Sequence, residues 1–536
     1  MSIIEIQDLT FGYDGRPELV FESVSFRIDT DWRLGFTGRN GRGKTTFLKL
    51  LMGEYEYRGQ IRSSVGFEYF PYPVAHPEAS AMEAAKEVIA PFAHWEREME
   101  RLCGRTDEAS LAAYGEAMEQ YLLHDGYIIE EAIRKEASRL EVKEEALGRP
   151  FGTLSCGEQT KVLLAALFLK KNRFLLLDEP TNHLDASGRS AVEAYLRTKK
   201  GFLLVSHDRA LLDAVTDHTL AVNRRNIEIQ KGGFSAWQAQ KERRDRMEAA
   251  QNEKLEKEIA QYREAAARAS GWSKRAEAEK TGEGSVDRGF LGHKAAKLMK
   301  RSKAIEARSE KAAEEASGLL CNVDVSEPLT MRTHPFEGRR LAEAKGLSLR
   351  VGEKVLFEGL NFELLPGDRA ALMGPNGSGK STLLRLLLGE SGAEHTGSLF
   401  VSPGLKISYI PQDTSLLRGS IREICRAGGL EESFLKALLR KMDFSREQLE
   451  GEASGFSEGQ KKKVLLAASL SRPAHLYIWD EPLNFVDVLT RLQLEEAIRR
   501  CRPTLLFVEH DRTFTENVAT KRIRLEAQAA APACPA

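Results

Sequence analysis

The chain has 536 residues, of which 42% are hydrophobic, and a formal net charge of −1. This length and composition predict a globular protein of several domains with large buried cores, and exclude a surface uniformly coated with positive charge for nucleic acid. No apolar run approaches about 18 residues and residues 1–5 lack the pattern of a signal peptide, so we expect neither a membrane domain nor export. The six cysteines lack metal or redox spacing, which favours a reduced, cytoplasmic compartment.

The first recognisable element is a phosphate-loop pattern, G-x-x-x-x-G-K-[ST], at Gly38–Thr45. It follows a strand-like apolar run and opens a helix. Its glycines let the backbone wrap around phosphate oxygens, the lysine reaches the outer phosphates, and the threonine hydroxyl binds Mg²⁺. The predicted ATP-binding positions here are Gly38, Asn40, Gly41, Gly43, Lys44, Thr45 and Thr46.

A helical stretch at about residues 84–140 comes next, followed by a buried strand that ends in two acids. The stretch is bland residue by residue, and its position makes it a candidate interaction arm. The strand Phe174–Leu177 precedes Asp178, which would hold the metal with Thr45, and Glu179, which would activate the attacking water. A strand that merely ends in a helix-capping acid is the plainer alternative. His207 follows another apolar strand and is a candidate sensor of the terminal phosphate, although a lone histidine is more often structural.

The segment 237–320 is a charged linker. Two helices, Gln238–Ser270 and Gly292–Leu320, are predicted, separated by a glycine-containing loop at about 271–291. A helix of about 30 residues extends on the order of 45 Å. From 271 to 303, nine Lys or Arg stand against four acids, a surplus of +5. A solvated coiled-coil face is the plain interpretation, and the alternative is a surface that follows a phosphate backbone.

Aromatic rings lie within the same linker loop. Trp272 and Phe290 can stack on nucleotides or pack the two helix ends together, and the sequence leaves both open. The candidate nucleic-acid contacts in the linker are Trp272, Lys274, Arg275, Lys280, Arg288, Phe290, Lys294, Lys297 and Arg301.

The second half repeats the motifs of the first. Ser155 and Glu179 are 24 positions apart, as are Ser457 and Glu481, which indicates an internal duplication. Between the phosphate-loop lysine and that serine, however, the first half carries 34 more residues. The second-half candidates are Gly374, Asn376, Gly377, Gly379, Lys380, Ser381 and Thr382 for ATP, Ser381 and Asp480 for the metal, and Glu481 and His510 for catalysis.

Between phosphate loop and acid strand, the first half carries Leu154–Gln159 and the second Phe456–Gln460. Both segments resemble the L-S-G-G-Q signature of the ATP-binding-cassette family, and the ordered motifs cover nearly the whole chain outside the linker. The resemblance implies an α/β fold with two parallel-sheet cassettes that face head to tail, with closure dependent on ATP. The signature residues that would complete the sites are Ser457 and Gly459 at the first and Ser155 and Gly157 at the second.

The two implied sites differ in sequence. Gln412 matches the family's glutamine loop and would bind ATP and the metal, whereas Tyr72 stands at the corresponding place in the first half. Tyr13 precedes the first phosphate loop where this family stacks a ring on adenine, and Leu349–Val351 offers no ring before the second. We hypothesise that the sites turn over at different rates.

Two cassettes joined by a helical linker resemble the ABC-F class of ribosome-associated ATPases. Gly289–Lys297, Trp479–Phe485, Phe507–Asp511 and Phe70–Tyr72 resemble its antibiotic-resistance branch, specifically the Lsa-type group. This implies a linker that enters the ribosomal exit site, contacts large-subunit rRNA and reaches toward the P-site tRNA. It also implies protection from lincosamides, pleuromutilins and group A streptogramins.

Other functions stay open at this point. A housekeeping ABC-F translation factor is the nearest rival, and a DNA-repair cassette ATPase is a wider one, although its linker is normally far longer or carries zinc-binding cysteines. A module that keeps ATP only as a structural switch is disfavoured because both glutamates are present. We expect a monomer with ATP and Mg²⁺ as cofactors and no DNA partner. The predicted divisions are 1–236, 237–320, 321–528 and a tail at 529–536.

Overall fold

A computed structural model describes residues 2–13, 19–182, 184–222, 227–278, 328–352, 354–375, 377–390, 392–415 and 417–525, with positions 300, 304, 307, 308 and 311. The chain divides into two compact units, Met1–Ser235 with Glu327–Ala536, and Ala236–Ser326. Both halves of the duplication lie in the first unit, and the linker forms the second. Among the described helices, none is both long and apolar enough to cross a membrane.

The first half contains two sheets. Its strands are β1 (Ile3–Phe11), β2 (Phe21–Asp29), β3 (Arg33–Thr37), β4 (Arg58–Arg62), β5 (Gly66–Phe70), β6 (Arg173–Asp178), β7 (Phe202–Val205), β8 (His218–Val222) and β9 (Ile227–Lys231). The order β2-β1-β4 forms an antiparallel sheet, and β5-β6-β7-β3-β8-β9 forms a sheet that is parallel except for β9. The central strands of the parallel sheet are buried on both faces, which explains their unbroken apolar sequence.

The helices of the first half follow the strands in the parallel sheet or form a separate helical layer. They are α1 (Lys44–Leu51), α2 (Ala81–Ile89), α3 (Phe92–Leu102), α4 (Glu108–Leu123), α5 (Ile129–Arg139), α6 (Glu144–Leu147), α7 (Cys156–Leu167), α8 (Ala186–Arg197) and α9 (Arg209–Val215). Helix α1 follows β3 directly, so the phosphate loop lies at the carboxyl edge of the sheet, the usual ligand edge of such folds.

The second half repeats this plan. Its strands are β10 (Ala342–Val351), β11 (Lys354–Leu364), β12 (Arg369–Met373), β13 (Glu394–Val401), β14 (Ile407–Ile410), β15 (Leu476–Asp480), β16 (Leu505–Val508) and β17 (Lys521–Arg524). They form an antiparallel sheet, β11-β10-β13, and a parallel sheet, β14-β15-β16-β12-β17. Its helices are α11 (Lys380–Leu388), α12 (Ile421–Gly428), α13 (Glu432–Lys441), α14 (Arg446–Glu450), α15 (Glu458–Ser471), α16 (Val488–Cys501) and α17 (Arg512–Val518).

The length excess of the first half is a helical hairpin. Helix α2 ends at Ile89 and α5 begins at Ile129, whereas α12 ends at Gly428 and α13 begins at Glu432. The additional chain forms α3 and α4, which pack together through Phe92 and Tyr121 with ring centroids 5.9 Å apart. Within the predicted helical stretch 84–140, the excess is therefore confined to this hairpin and its connections.

The linker begins with one long helix, α10 (Phe234–Ala278), of 45 residues. At 1.5 Å per residue it extends on the order of 67 Å. The predicted helix end at Ser270 was wrong, because Gly271 to Ala278 are helical as well. Lys, Arg, Ala and Glu favour a helix there, and a single interior glycine costs only about 1 kcal/mol.

The exposed surface of α10 carries ion pairs at i,i+4 spacing, such as Glu253 with Lys257 at 2.8 Å. Because both partners are exposed to solvent, which screens their charges, such pairs stabilise the helix only weakly. Of the predicted nucleic-acid contacts, Trp272, Lys274 and Arg275 belong to α10 by their backbone. The others lie outside the described residues: Lys280, Arg288, Phe290, Lys294, Lys297 and Arg301. So do the predicted tail and residues 321–327.

Candidate nucleotide sites between the two halves

The first phosphate loop connects β3 to α1. Gly43 precedes α1 with φ 89°, and a Cβ there would lie 2.5 Å from Val20, so only glycine fits. Lys44 follows and is buried, with Nζ donating to the carbonyl oxygens of Gly38 at 2.8 Å and Arg39 at 3.2 Å. Burial lowers the pKa of Lys44, and the nearby charges of Asp487, Glu179 and Asp178 oppose that shift. The ammonium is thus held at the mouth of the loop.

The predicted metal ligands of the first half lie together. The Thr45 hydroxyl donates to Asp178 Oδ2 at 3.1 Å, and the Tyr69 hydroxyl donates to the same oxygen at 3.0 Å. Burial raises the pKa of Asp178, while the hydrogen bonds from Tyr69 and Thr45 and the charge of Lys44 pull it down. The sequence did not single out Tyr69, although its strand β5 pairs with β6 and ends at the same edge of the sheet.

The second half holds an equivalent pair. Asp480 is 1% exposed, accepts a hydrogen bond from Ser381, and has a second oxygen, Oδ1, without a hydrogen-bond partner. A buried carboxylate oxygen with no donor beside a hydroxyl fits Mg²⁺, which prefers oxygen ligands. The described residues contain no cluster of three or more His, Cys, Asp or Glu side chains suited to a metal. Magnesium here would therefore complete its shell with phosphate oxygens and water.

The first candidate catalytic base, Glu179, is largely shielded from solvent and accepts a long hydrogen bond from the His207 backbone N–H to its Oε2 at 3.4 Å. Its Oε1 has no hydrogen-bond partner, since His207 Nε2 lies 3.4 Å away without hydrogen-bond geometry. Burial, followed by the charge of Asp178, raises the pKa of Glu179 to about 8. Burial also lowers the pKa of His207 well below its ordinary value.

The second base, Glu481, is surrounded by donors. Gln412 Nε2 donates to its Oε2 at 3.0 Å, Asn484 Nδ2 donates to the same oxygen at 2.6 Å, and His510 Nε2 lies 3.6 Å from Oε1. Burial alone would raise the pKa of Glu481, but these groups, led by His510, outweigh it and lower the pKa below its ordinary value. The sequence analysis did not predict that Asn484 donates to Glu481, although its spacing of three residues from the glutamate is visible in the sequence.

The first phosphate loop contacts the second half directly. Asn40 Nδ2 donates to the Phe485 carbonyl at 2.6 Å, and a Cβ on Gly459 would come within 2.6 Å of the same Asn40 nitrogen. The signature glycine of the second half, Gly459, therefore lies against the phosphate loop of the first half, as the head-to-tail arrangement requires. Ser457 lies at the N-terminus of α15, where its hydroxyl accepts a hydrogen bond from the backbone of Gln460.

The second phosphate loop borders a cavity of about 360 Å³. From the second half it is lined by Gly377, Gly379, Lys380, Ser381, Thr382, Gln412, Glu481, Asn484 and His510 together with Leu356, and from the first half by Leu184 and Arg189. Gly157 lies against Leu184, where a Cβ would be 3.1 Å from that side chain, and Ser155 caps α7. Neither Ser155 nor Gly157 lines the cavity itself. Gly374 lies beside a neighbouring cavity, and Asn376 falls outside the described residues.

Tyr13 and Tyr72, the two aromatic residues by which the first half differs from the second, have different surroundings. Tyr13 is hydrogen-bonded through its hydroxyl to the Thr46 hydroxyl at 2.7 Å, which places its ring beside the first phosphate loop. Tyr72 instead has Lys170 Nζ 5.1 Å from its ring centroid. Its neighbours Glu68 and Glu87 add to burial in raising its pKa. The tyrosine whose hydroxyl contacts Asp178, the predicted metal ligand, is Tyr69.

Comparison with known proteins agrees with this geometry. The sequence profile of the ABC transporter family matches residues 21–182 and 357–484, which are more than half of the chain. The ribosome protection protein VmlR of Bacillus subtilis is 31% identical over 70% of this chain and 69% of its own length. The energy-dependent translational throttle protein EttA of Haemophilus influenzae is 28% identical over 94% of this chain and 88% of its own.

Among solved structures, the fold resembles the chain in a complex of archaeal ribosomal stalk protein aP1 and archaeal ribosome recycling factor aABCE1. The TM-score is 0.60 at 19% identity, with 97% of this chain and 88% of that chain covered. At this identity the likeness concerns the fold alone.

Proposed function

The chain belongs to the ATP-binding-cassette family, its relatives are ABC-F proteins, and we propose that it binds the ribosome in an ATP-bound, closed state. It is an ATPase with two cassettes. The observation that carries the proposal is the contact of the first phosphate loop with the second half, in a chain whose linker begins with a charged helix of 45 residues. Closure and reopening of the two halves would act on a partner through this helix.

The catalytic roles we propose follow from the contacts of each side chain. Lys44 and Lys380 bind the phosphates, and Glu179 and Glu481 orient and deprotonate the attacking water. Mg²⁺ would be held by Thr45 with Asp178 and by Ser381 with Asp480, and would neutralise charge on the phosphates. His207 and His510 approach the same glutamates. A nucleotide held between the halves makes closure depend on ATP, because only the closed state offers both surfaces.

The proposed target is the exit site of the large ribosomal subunit, where the linker would contact rRNA and the P-site tRNA. The basic surplus of +5 near the middle of the linker supports an RNA partner. Protection from lincosamides, pleuromutilins and streptogramin A is our more specific proposal. It is supported by the similarity to VmlR, whose name is that of a ribosome protection protein, and by the Lsa-type sequence motifs. We propose a monomer that works in the cytoplasm.

Ribosome binding can be tested with a chain arrested before hydrolysis. Glu179→Gln with Glu481→Gln keeps the shape of both side chains and removes both bases. We expect this double variant to co-sediment with ribosomes in the presence of ATP, and a Lys44→Ala with Lys380→Ala chain to stay in the supernatant. Failure of the glutamine variant to co-sediment would refute the central proposal.

A housekeeping translation factor is the second candidate, favoured by the similarity to the throttle protein EttA over 94% of the chain. Expression in a drug-susceptible host separates the two. Resistance predicts higher inhibitory concentrations of a pleuromutilin or lincosamide for the wild type than for the double glutamine variant. Unchanged inhibitory concentrations with intact ribosome binding favour the housekeeping function.

A further inference from the structure

The two halves are joined by an ion pair that involves the first phosphate loop. Arg42 forms a bidentate contact with Asp443, with Nη2 at 2.9 Å from Oδ1 and Nε at 3.1 Å from Oδ2. Arg39 Nη1 lies 3.8 Å from the same carboxylate. The three side chains are only 21%, 10% and 13% exposed, for Arg42, Arg39 and Asp443 respectively. Planar, shielded Arg–carboxylate contacts of this kind are among the stronger polar interactions.

The arginines and the aspartate of this ion pair lie in two different segments of the first nucleotide site. Both arginines lie inside the phosphate loop, between Gly38 and Lys44. Asp443 follows the end of α13 in the left-handed region, with φ 69°. The preceding residue, Met442, accepts a hydrogen bond at 3.0 Å from Lys463, which lies on the signature helix α15. The ion pair therefore connects the loop that would hold ATP to the helical layer that carries the opposing signature.

No such pair can form at the other site. The positions of Arg39 and Arg42 are occupied in the second phosphate loop by Pro375 and Ser378, neither of which carries a charge. The counterpart of Asp443 is Glu141, which likewise follows a helix end, has φ 58° and is exposed. Both halves therefore carry a carboxylate at this position, but only the first phosphate loop carries arginines that can pair with one.

We propose that Arg42 and Arg39 are positioning residues that clamp the first phosphate loop to Asp443 of the second half. The clamp acts through the loop: it fixes the loop against the opposing signature and so raises the affinity of the first site for ATP. The second site lacks this contact and depends on nucleotide alone to bring its two surfaces together. The inference goes beyond the proposed function, because it assigns different affinities to the two sites of the free protein.

The test uses full-length chains in which only one site can bind nucleotide. Lys380→Ala leaves the first site and Lys44→Ala leaves the second. In each background, Asp443→Asn removes the charge while keeping a residue that tolerates the left-handed region. The Kd for a fluorescent methylanthraniloyl-ATP with Mg²⁺ is measured without ribosomes, so the result is independent of the proposed ribosomal role. We expect Asp443→Asn to raise the first-site Kd by about tenfold or more and the second-site Kd by less than about twofold.

Glu141→Gln is the matched control, because it makes the same chemical change at the equivalent position of the other half. It should leave both Kd values within about twofold of their backgrounds. Arg42→Ser, which introduces the residue found in the second loop as Ser378, should raise the first-site Kd as much as Asp443→Asn does. The double variant should raise that Kd no further than either single change, because both changes remove the same contact. Arg42→Lys should restore part of the affinity.

Thermal unfolding checks that each chain is folded, and Arg42→Ser carries the test if Asp443→Asn is not. An unchanged first-site Kd in either variant overturns the clamp. An equal rise at both sites also overturns it, since that result would mean a general loss of structure.

Discussion

The two candidate catalytic glutamates, Glu179 and Glu481, directly follow equivalent strands and have nearly equal φ angles of 51° and 48°, yet their pKa values shift in opposite directions. Glu481 receives hydrogen bonds from Gln412 and Asn484, which with His510 lower its pKa. Glu179 has a buried oxygen without a partner, and its pKa rises to about 8. A duplicated motif therefore does not guarantee duplicated chemistry, because the protonation of a buried carboxyl is set by the donors around it.

The largest expected effect tests this difference directly. At pH 7 Glu481 is ionised and ready to act as a base, whereas most Glu179 side chains carry a proton. We expect Glu481→Gln to lower steady-state phosphate release by about a hundredfold or more, and Glu179→Gln by less than about tenfold. Equal losses in the two variants would show that the sites share turnover despite their different surroundings.

The pH dependence of each single-site variant sharpens the same comparison. A base works in its ionised form, and with a pKa of about 8 the ionised fraction of Glu179 rises as pH increases from 7 to 9. The residual activity of Glu481→Gln should therefore increase by about tenfold over that range. The activity of Glu179→Gln should stay flat from pH 6 to 9, since the pKa of Glu481 is lowered below its ordinary value. Parallel pH profiles would contradict the assignment.

A smaller effect is expected at Gln412, and a smaller one still at Tyr72, which stands at the corresponding position of the first half. Gln412→Ala removes a donor to Glu481 and should lower phosphate release by roughly tenfold. Its positional counterpart Tyr72 has its ring near Lys170, so Tyr72→Ala should leave ATPase activity within about twofold. A large loss in Tyr72→Ala would instead support a role for this hydroxyl at the attacking water.

The smallest expected effect concerns Tyr69, which donates to Asp178 at 3.0 Å. Tyr69→Phe removes only the hydroxyl, and a hydrogen bond to a charged group makes a net contribution of about 1.5 to 3 kcal/mol to the free energy of folding. Because Asp178 keeps its bond from Thr45, we expect the Mg²⁺ concentration for half-maximal ATPase activity to change by about twofold to fivefold. Tyr409→Phe, the equivalent change in the second half, is the control for general loss of packing.

Much of the fold followed from patterns that lie close together in the sequence. Phosphate loops, acid-ended strands and signature segments each occupy a few consecutive residues, so their element types were recognisable without knowledge of distant contacts. The linker helix was also predicted, but its end was placed at Ser270 instead of beyond Gly271. Gly271 does not end the helix, because the flanking residues favour a helix strongly enough for it to continue through a single glycine.

The candidate sites were predicted less completely than the fold. The sequence assigns Thr45 and Asp178 to one metal site, which stays a prediction, and their side chains are hydrogen-bonded. Tyr69, which donates to the same aspartate, is not among the predicted residues. Strand alternation alone does not show that the face of β5 that carries Tyr69 brings its hydroxyl to Asp178. That depends on the pairing of β5 with β6, which brings together residues 109 positions apart.

The sequence by itself determined the duplication, the candidate catalytic residues and the presence of a long charged linker, since all of these are local patterns. Tertiary structure decided how the two sites differ. Arg42 and Asp443 are 401 positions apart, and Asn40 and Phe485 are 445 apart, so no local pattern relates them. The acidity of Glu179 and Glu481 likewise depends on burial and on neighbouring groups from other elements, and these are fixed only by the tertiary structure.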